Sequence, residues 1–166
     1  MRRLLLAFTA TLLLTLTAVG APEIHWQIYE DPAYGYEVEL PLGTFTGARR
    51  EDNGVILTET DGRGQIDVYG AVNTHGLSPR EFEAELSDAD RIREITYARR
   101  GRSWFVISGY YRREGDDSDD LIFYAKFMFS PDRERLSAFE ASYPVSDKRR
   151  FDAIIERMED SLTSPY

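Results

Sequence analysis

The sequence has no cysteine and only two histidines, His25 and His75, among its 166 residues. Without cysteine the protein cannot form a disulfide, use a thiol nucleophile or bind zinc or an iron–sulfur cluster through thiolates. Neither histidine has a second ligand residue at metal-binding spacing, and no Gly-x-Ser-x-Gly segment is present. Hydrolytic activity is therefore expected to depend on carboxylates, with a serine–histidine pair through His25 or His75 as the less favoured alternative. No cofactor is expected.

Lysine is also scarce: Lys126 and Lys148 are the only two, compared with 18 arginines. Asp and Glu together number 29. The formal net charge of the chain is −9. A surface of this sign repels nucleic-acid phosphates and anionic lipid head groups. We therefore expect no nucleic-acid partner. With so many acidic residues, the sequence does not single out a catalytic carboxylate pair, and a secreted carboxylate-based hydrolase remains an open alternative.

A long uncharged run occurs only at the N-terminus, where residues 4–19 follow Arg2 and Arg3 and lead into small residues. This order of positive, apolar and small residues is typical of a secretory signal peptide. The run is shorter than the roughly 20 residues that span a bilayer, so a retained membrane anchor is the less favoured alternative. A lipid anchor would need a cysteine at the cleavage point, and the sequence has none.

We predict a signal peptide over residues 1–20, with cleavage after Gly20. Cleavage after Ala21 is the alternative, but it would place Pro22 directly beyond the cut. Residues 21–166 are predicted to form a single domain with 18 basic and 29 acidic residues, a formal net charge of −11. A domain of this length can bury a sufficient core without disulfides. The mature protein is predicted to be periplasmic or secreted, without stable insertion in the membrane.

The apolar pattern predicts several short strands and two helices. Strands are predicted at 26–29, 36–40, 54–58, 65–69, 92–98, 103–111, 121–129 and 135–143. A helix is predicted over 78–88, with Ser78 and Glu81 as a capping box, and another of about fifteen residues begins at Ser146. Short turns between successive strands imply antiparallel pairing.

The predicted fold class is α+β, with a central, mostly antiparallel sheet of about six strands flanked by helices. The 103–111 strand is apolar on both faces, so we expect it near the centre of the sheet.

Two groups of residues are candidate sites. Asp116, Asp117, Asp119 and Asp120 lie in the acidic loop 114–120, where oxygen ligands would suit Ca²⁺, although the EF-hand pattern is absent and a solvated loop is the alternative. Trp104, Tyr110 and Tyr111 share one predicted strand and are candidate partner-binding residues, with an aromatic core as the alternative.

Several segments together resemble a group of small bacterial exported proteins with a PsbP-like fold. The segments are Tyr34-Gly35-Tyr36 leading to Pro41, Asp61-Gly62, Ile95-Thr96-Tyr97, the strand 104–110, the segment 123–126, Tyr143-Pro144 and the helix 151–162. PsbP is the extrinsic subunit of photosystem II, and a Ran-binding nuclear-import factor shares its fold. The resemblance implies a central antiparallel sheet between helices, an α/β/α sandwich.

The known members of this fold class are binding or accessory proteins, and the resemblance brings no catalytic motif with it. We therefore expect an exported, non-catalytic binding or accessory protein of the bacterial envelope, with an envelope protein as its partner. The alternatives are the carboxylate-based hydrolase and a weak cation-binding module that uses the 114–120 loop.

Overall fold

The computed structural model describes residues 23–51, 53–60, 62–112 and 120–166. The described strands are β1 (His25–Asp31), β2 (Tyr36–Leu42), β3 (Phe45–Glu51), β4 (Gly54–Glu59), β5 (Gln65–Val72), β6 (Ile92–Arg100), β7 (Trp104–Tyr111), β8 (Leu121–Phe129) and β9 (Arg135–Pro144). The helices are α1 (Pro79–Ser87) and α2 (Lys148–Ser161).

The predicted signal peptide, residues 1–20, lies outside the described residues, and its cleavage stays a prediction. Within the described ranges, no helix has the length and apolar character needed to cross a bilayer.

The described strands form one sheet in the order β1-β2-β3-β4-β5-β9-β8-β7-β6. The six strands from β4 to β6 in this order pair antiparallel throughout, which confirms the predicted mostly antiparallel sheet of about six strands. β3 extends this array antiparallel to β4. The β1–β2 hairpin joins it through one parallel bridge, between Leu42 and Phe45.

A hydrophobic core lies on each face of the sheet, because side chains alternate between the faces along each strand. On β9, Phe139, Ala141 and Tyr143 pack on the face that carries α2, whereas Leu136 and Ala138 pack on the opposite face with α1. We call these the α2 face and the α1 face. Burial of one large apolar side chain stabilises the fold by about 1.5–3 kcal/mol, so both helices are held mainly by these cores.

Helix α1 begins as the sequence predicts. The Ser78 N–H donates to Glu81 Oε2 at 2.8 Å, and the Glu81 N–H donates to Ser78 Oγ at 3.4 Å, which completes the capping box. Pro79 occupies the first helical position, where its missing N–H leaves no hydrogen bond unmade. The predicted cap and the predicted helix are both confirmed.

Helix α2 begins later than predicted. Ser146 lies inside a 3-10 turn over Val145–Asp147, and Asp147 is the N-cap residue, without a side-chain capping bond. The Asp147 carboxylate instead accepts hydrogen bonds from Arg63, at 2.5 Å, and Arg150, at 3.1 Å. The predicted cap at Ser146 is therefore wrong, because the extra turn moves the start of the helix.

The position of β7 also differs from the expectation. β7 lies second from the end of the sheet, between β8 and the edge strand β6, and not at its centre. α2 packs mainly on β2, β9 and β8. The α2 face of β6 and β7 therefore lies beside the helix and not beneath it.

The residues after α2 secure β2. The Thr163 N–H donates to the Glu37 carbonyl at 3.0 Å, and the Glu37 N–H donates to Thr163 Oγ1 at 2.8 Å. Ser137 Oγ on β9 donates to the Thr163 carbonyl at 2.6 Å. Thr163 thus links β2 to β9, two strands that are far apart in the sheet order.

Candidate partner-binding groove

An open groove lies on the α2 face beside the helix, with a cavity volume of about 360 Å³. Four tyrosines line it: Tyr97, Tyr110, Tyr124 and Tyr143. They come from β6, β7, β8 and β9, and Lys148 and Asp152 at the start of α2 complete the lining. We call this feature the tyrosine groove.

The register of the strands brings these rings together. Ser108 on β7 lies opposite Tyr97 on one side and Tyr124 on the other, so these three side chains form one row. In the next row Tyr110 lies opposite Ile122, which lies opposite Tyr143. Because the Ser108 side chain is small, the row has a hollow between two rings, and this hollow is the floor of the groove.

Four polar residues around the groove already have hydrogen-bond partners: Ser108, Tyr124, Lys148 and Asp152. Lys148 Nζ donates to both carboxylate oxygens of Asp152 at 2.8 Å. The Tyr124 hydroxyl donates to Glu159 Oε2 at 2.5 Å, and Ser108 Oγ donates to the Phe123 carbonyl at 2.8 Å. With these groups engaged, the surface left for a ligand is aromatic.

Burial keeps the hydroxyls of Tyr124 and Tyr143 neutral. Desolvation, followed by the hydrogen bond to Glu159, raises the pKa of Tyr124 above its usual range. Desolvation likewise raises the pKa of Tyr143. Burial lowers the pKa of Lys126, although the nearby Glu159 and Asp160 oppose this change.

Among the described residues, Ser108 is not placed as the nucleophile of a serine–histidine pair. A serine nucleophile needs a histidine or another base within hydrogen-bond reach. Ser108 is committed to a backbone carbonyl, and neither His25 nor His75 lines the groove.

The three predicted partner-binding residues do not share one surface. Tyr110 lines the groove, and the Arg93 guanidinium lies over its ring at 5.0 Å from the centroid. Trp104 lies on the same face as Tyr110, six residues earlier on β7, and its indole packs against Gly101 in the β6–β7 turn. Tyr111 is on the α1 face, where its ring stacks on Phe123 with centroids 4.9 Å apart.

Sequence reasoning missed Tyr97, Tyr124 and Tyr143, because their common position depends on strand order and register. Tyr97 is the most open of the groove tyrosines, with 44% of its surface exposed.

Three of the four candidate cation ligands, Asp116, Asp117 and Asp119, lie outside the described residues. Asp120 is described, and Arg93 donates to both of its carboxylate oxygens, at 2.9 and 3.3 Å. A cation that bound this carboxylate would have to displace Arg93. Cation binding by the acidic loop stays a prediction.

A pair of carboxylates occurs on the α1 face. Asp67 on β5 lies directly opposite Glu140 on β9, and residues in such positions have Cβ atoms about 4.5–5.5 Å apart. Glu140 accepts hydrogen bonds from the Tyr69 hydroxyl, at 2.6 Å, and from Arg91, at 3.0 Å. Asp67 accepts one from Gln65 Nε2 at 2.8 Å and borders a cavity of about 270 Å³.

The two carboxylates therefore have different environments. Desolvation is the largest effect on Asp67 and raises the pKa of its carboxyl, with Glu140 adding to the rise. Arg91 and Gln65 act in the opposite direction on that pKa.

No protein-family model matches the chain, and no curated protein matches it by sequence. Solved structures do match by fold. PsbP from the cyanobacterium Synechocystis sp. PCC 6803 superposes with a TM-score of 0.56 and 17% identity, covering 90% of this chain and 97% of that protein. The Ran-binding protein Mog1p of Saccharomyces cerevisiae superposes with a TM-score of 0.60 and 9% identity, covering 86% of this chain and 96% of that protein. At these identities the likeness shows the fold alone, and the chain has a PsbP-like α+β fold.

Proposed function

We propose that this chain is an exported, non-catalytic binding or accessory protein of the bacterial envelope, and that it contacts a partner protein through the tyrosine groove. The observation that carries the proposal is the grouping of four tyrosines around a groove beside α2. Tyr97, Tyr110 and Tyr124 keep accessible surface there, whereas Tyr143 is buried against Phe151 of α2. Tyrosine is enriched where proteins meet, because its ring supplies apolar contact area and its hydroxyl supplies a hydrogen bond.

The state of the polar groups supports binding over catalysis. The groove's lysine and aspartate neutralise each other, and the tyrosine hydroxyls with raised pKa values do not ionise at neutral pH. The PsbP-like fold is compatible with such a role, since one neighbour of the same fold is named as a Ran-binding protein. The predicted signal peptide restricts the partner to the envelope or the exterior of the cell.

Site-specific photo-crosslinking tests the groove. A photoreactive amino acid at Thr96, on the groove lining, should give a reproducible adduct with one envelope protein. Tyr97→Ser in the same chain should lower the yield, because it removes the most exposed ring. The same photoreactive group at Ile28, which is 61% exposed on β1, is the control. Equal adduct yields from positions 96 and 28, or a yield that Tyr97→Ser leaves unchanged, would reject the groove as the contact surface.

The Asp67–Glu140 pair favours carboxylate-based hydrolysis as a second candidate function. Hydrolases of this kind combine a protonated carboxyl, kept neutral by a raised pKa, with an ionised carboxylate. Asp67, whose carboxyl has a raised pKa, has the environment of the acid. Glu140 lies opposite it and accepts hydrogen bonds from Arg91 and the Tyr69 hydroxyl. Hydrolysis of an aryl glycoside by the wild-type protein but not by Asp67→Asn would establish this function. The absence of turnover by the wild-type protein between pH 4 and 7 would rule it out.

A further inference from the structure

The sheet ends at β6, and this edge is irregular in one half and regular in the other. No described strand pairs with the outer side of β6. Its register against β7 shifts between Ile92 and Glu94 and again between Ile95 and Tyr97. Such bulges disturb a strand edge and protect it against pairing with other chains. From Tyr97 to Arg100 the register is regular, so alternate backbone N–H and C=O groups there face outward without a strand partner.

This edge is basic, although the protein as a whole is acidic. Residues 91–112 contain six arginines and one acidic residue, Glu94. The remainder of residues 21–166 contains 12 basic and 28 acidic residues. The positive charge is therefore concentrated on the hairpin that forms the edge of the sheet.

Four of these six arginines have partners in the fold. Arg91 pairs with Glu140, Arg93 with Asp120 and Arg100 with Glu83, and Arg112 Nε donates to the Asp90 carbonyl.

The other two arginines, Arg99 and Arg102, are exposed and form no hydrogen bond or ion pair within the described ranges. Arg99 lies near the end of the regular half of β6, and Arg102 lies in the turn between β6 and β7. Two free guanidinium groups thus stand beside the only part of this edge that can extend the sheet.

We propose that the outer edge of β6 over Tyr97–Arg100 binds an extended acidic segment of a partner protein, which adds to the sheet as a further strand. Strand addition provides backbone hydrogen bonds, and Arg99 and Arg102 make the site specific for carboxylates. A second copy of this chain is a poor occupant, because two β6 edges would bring two arginine-rich hairpins together. The inference rests on the proposed function, since the Tyr97 ring lies on the groove lining and connects the edge to the tyrosine groove.

A synthetic peptide of ten residues that alternates glutamate with valine is the probe. It should bind the protein, whereas the matched lysine–valine peptide should not. The double substitution Arg99→Glu/Arg102→Glu should weaken binding of the glutamate peptide at least tenfold. Arg80→Glu/Arg149→Glu, which makes the same charge change at exposed positions on the two helices and outside the β6–β7 hairpin, should leave binding within twofold.

Hydrogen exchange separates strand addition from simple charge attraction. The bound glutamate peptide should slow exchange of backbone amides within residues 97–100, and residues 25–31 of the opposite edge strand β1 should be unchanged. Failure of the peptide to bind, equal weakening by the two double variants, or binding without slower exchange at 97–100 would each overturn the inference. Groove-dependent crosslinking from position 96 would persist in any of these cases if the proposed function alone is correct.

Discussion

Asp67 is a single residue whose environment predicts a specific dependence of stability on pH. Burial raises the pKa of its carboxyl in the folded protein. The folded state then binds the proton more tightly than the unfolded chain. The stability contributed by this proton is present below the unfolded pKa of about 3.9 and is lost as pH rises through the folded pKa.

We therefore expect Asp67→Asn to raise the free energy of unfolding at pH 7 and to leave it nearly unchanged at pH 3. Urea unfolding at the two pH values measures the difference. Asp160→Asn, which removes one negative charge from an exposed position of α2, is the control for net charge. A loss of stability in Asp67→Asn that is the same at both pH values would contradict the expectation.

The burial of Asp67 could not be predicted from its neighbours in the sequence. The alternation of Ile66 and Val68 around it predicts a strand whose other face is polar, and the strand is confirmed as β5. The pKa of Asp67 is also raised by the charge of Glu140, which belongs to β9, more than 70 residues along the chain. The same applies to the groove, because four tyrosines from four strands meet only through the register.

At the scale of the secondary-structure elements, the two helix starts give a matched pair of predictions. Ser78→Ala should lower the free energy of unfolding by about 1 kcal/mol, because it removes the oxygen that caps α1. Ser146→Ala should change it by less than about 0.5 kcal/mol, because Ser146 is exposed and does not cap α2. Thermal and urea denaturation of both variants provide the measurement, and equal losses in the two would contradict the assignment of the caps.

Elements with strong local signals were predictable, and elements that depend on their neighbours were not. The capping box and the strands of the 92–143 region are confirmed. β3 was missed because Phe45–Glu51 contains Gly47, Arg49 and Arg50 and shows no alternation of apolar and polar residues. The two apolar faces of β7 indicated that it is buried between neighbouring strands, but they did not indicate how far it lies from the sheet edge at β6.

At the scale of the whole molecule, cleavage of the predicted signal peptide determines whether the full-length or the shortened form of the chain meets its partner. Mass spectrometry of the protein recovered from the envelope or medium should find Ala21 as the first residue, with no species that retains Met1. The cleaved chain would carry a net charge of −11, more negative than the −9 of the full sequence. Recovery of the intact chain from the membrane fraction would contradict the prediction and favour the anchor.

The hydrogen bonds of Thr163 impose an order on folding. The ribosome releases the β1–β2 hairpin well before Thr163, which lies more than 120 residues later and joins this hairpin to β9. An isolated two-stranded hairpin is at best marginally stable in water. The hairpin therefore has to wait for α2, which packs on β2, and for Thr163 beyond it. A nascent or partly translocated polypeptide that lacks residues 148–163 leaves β2 without either of these contacts.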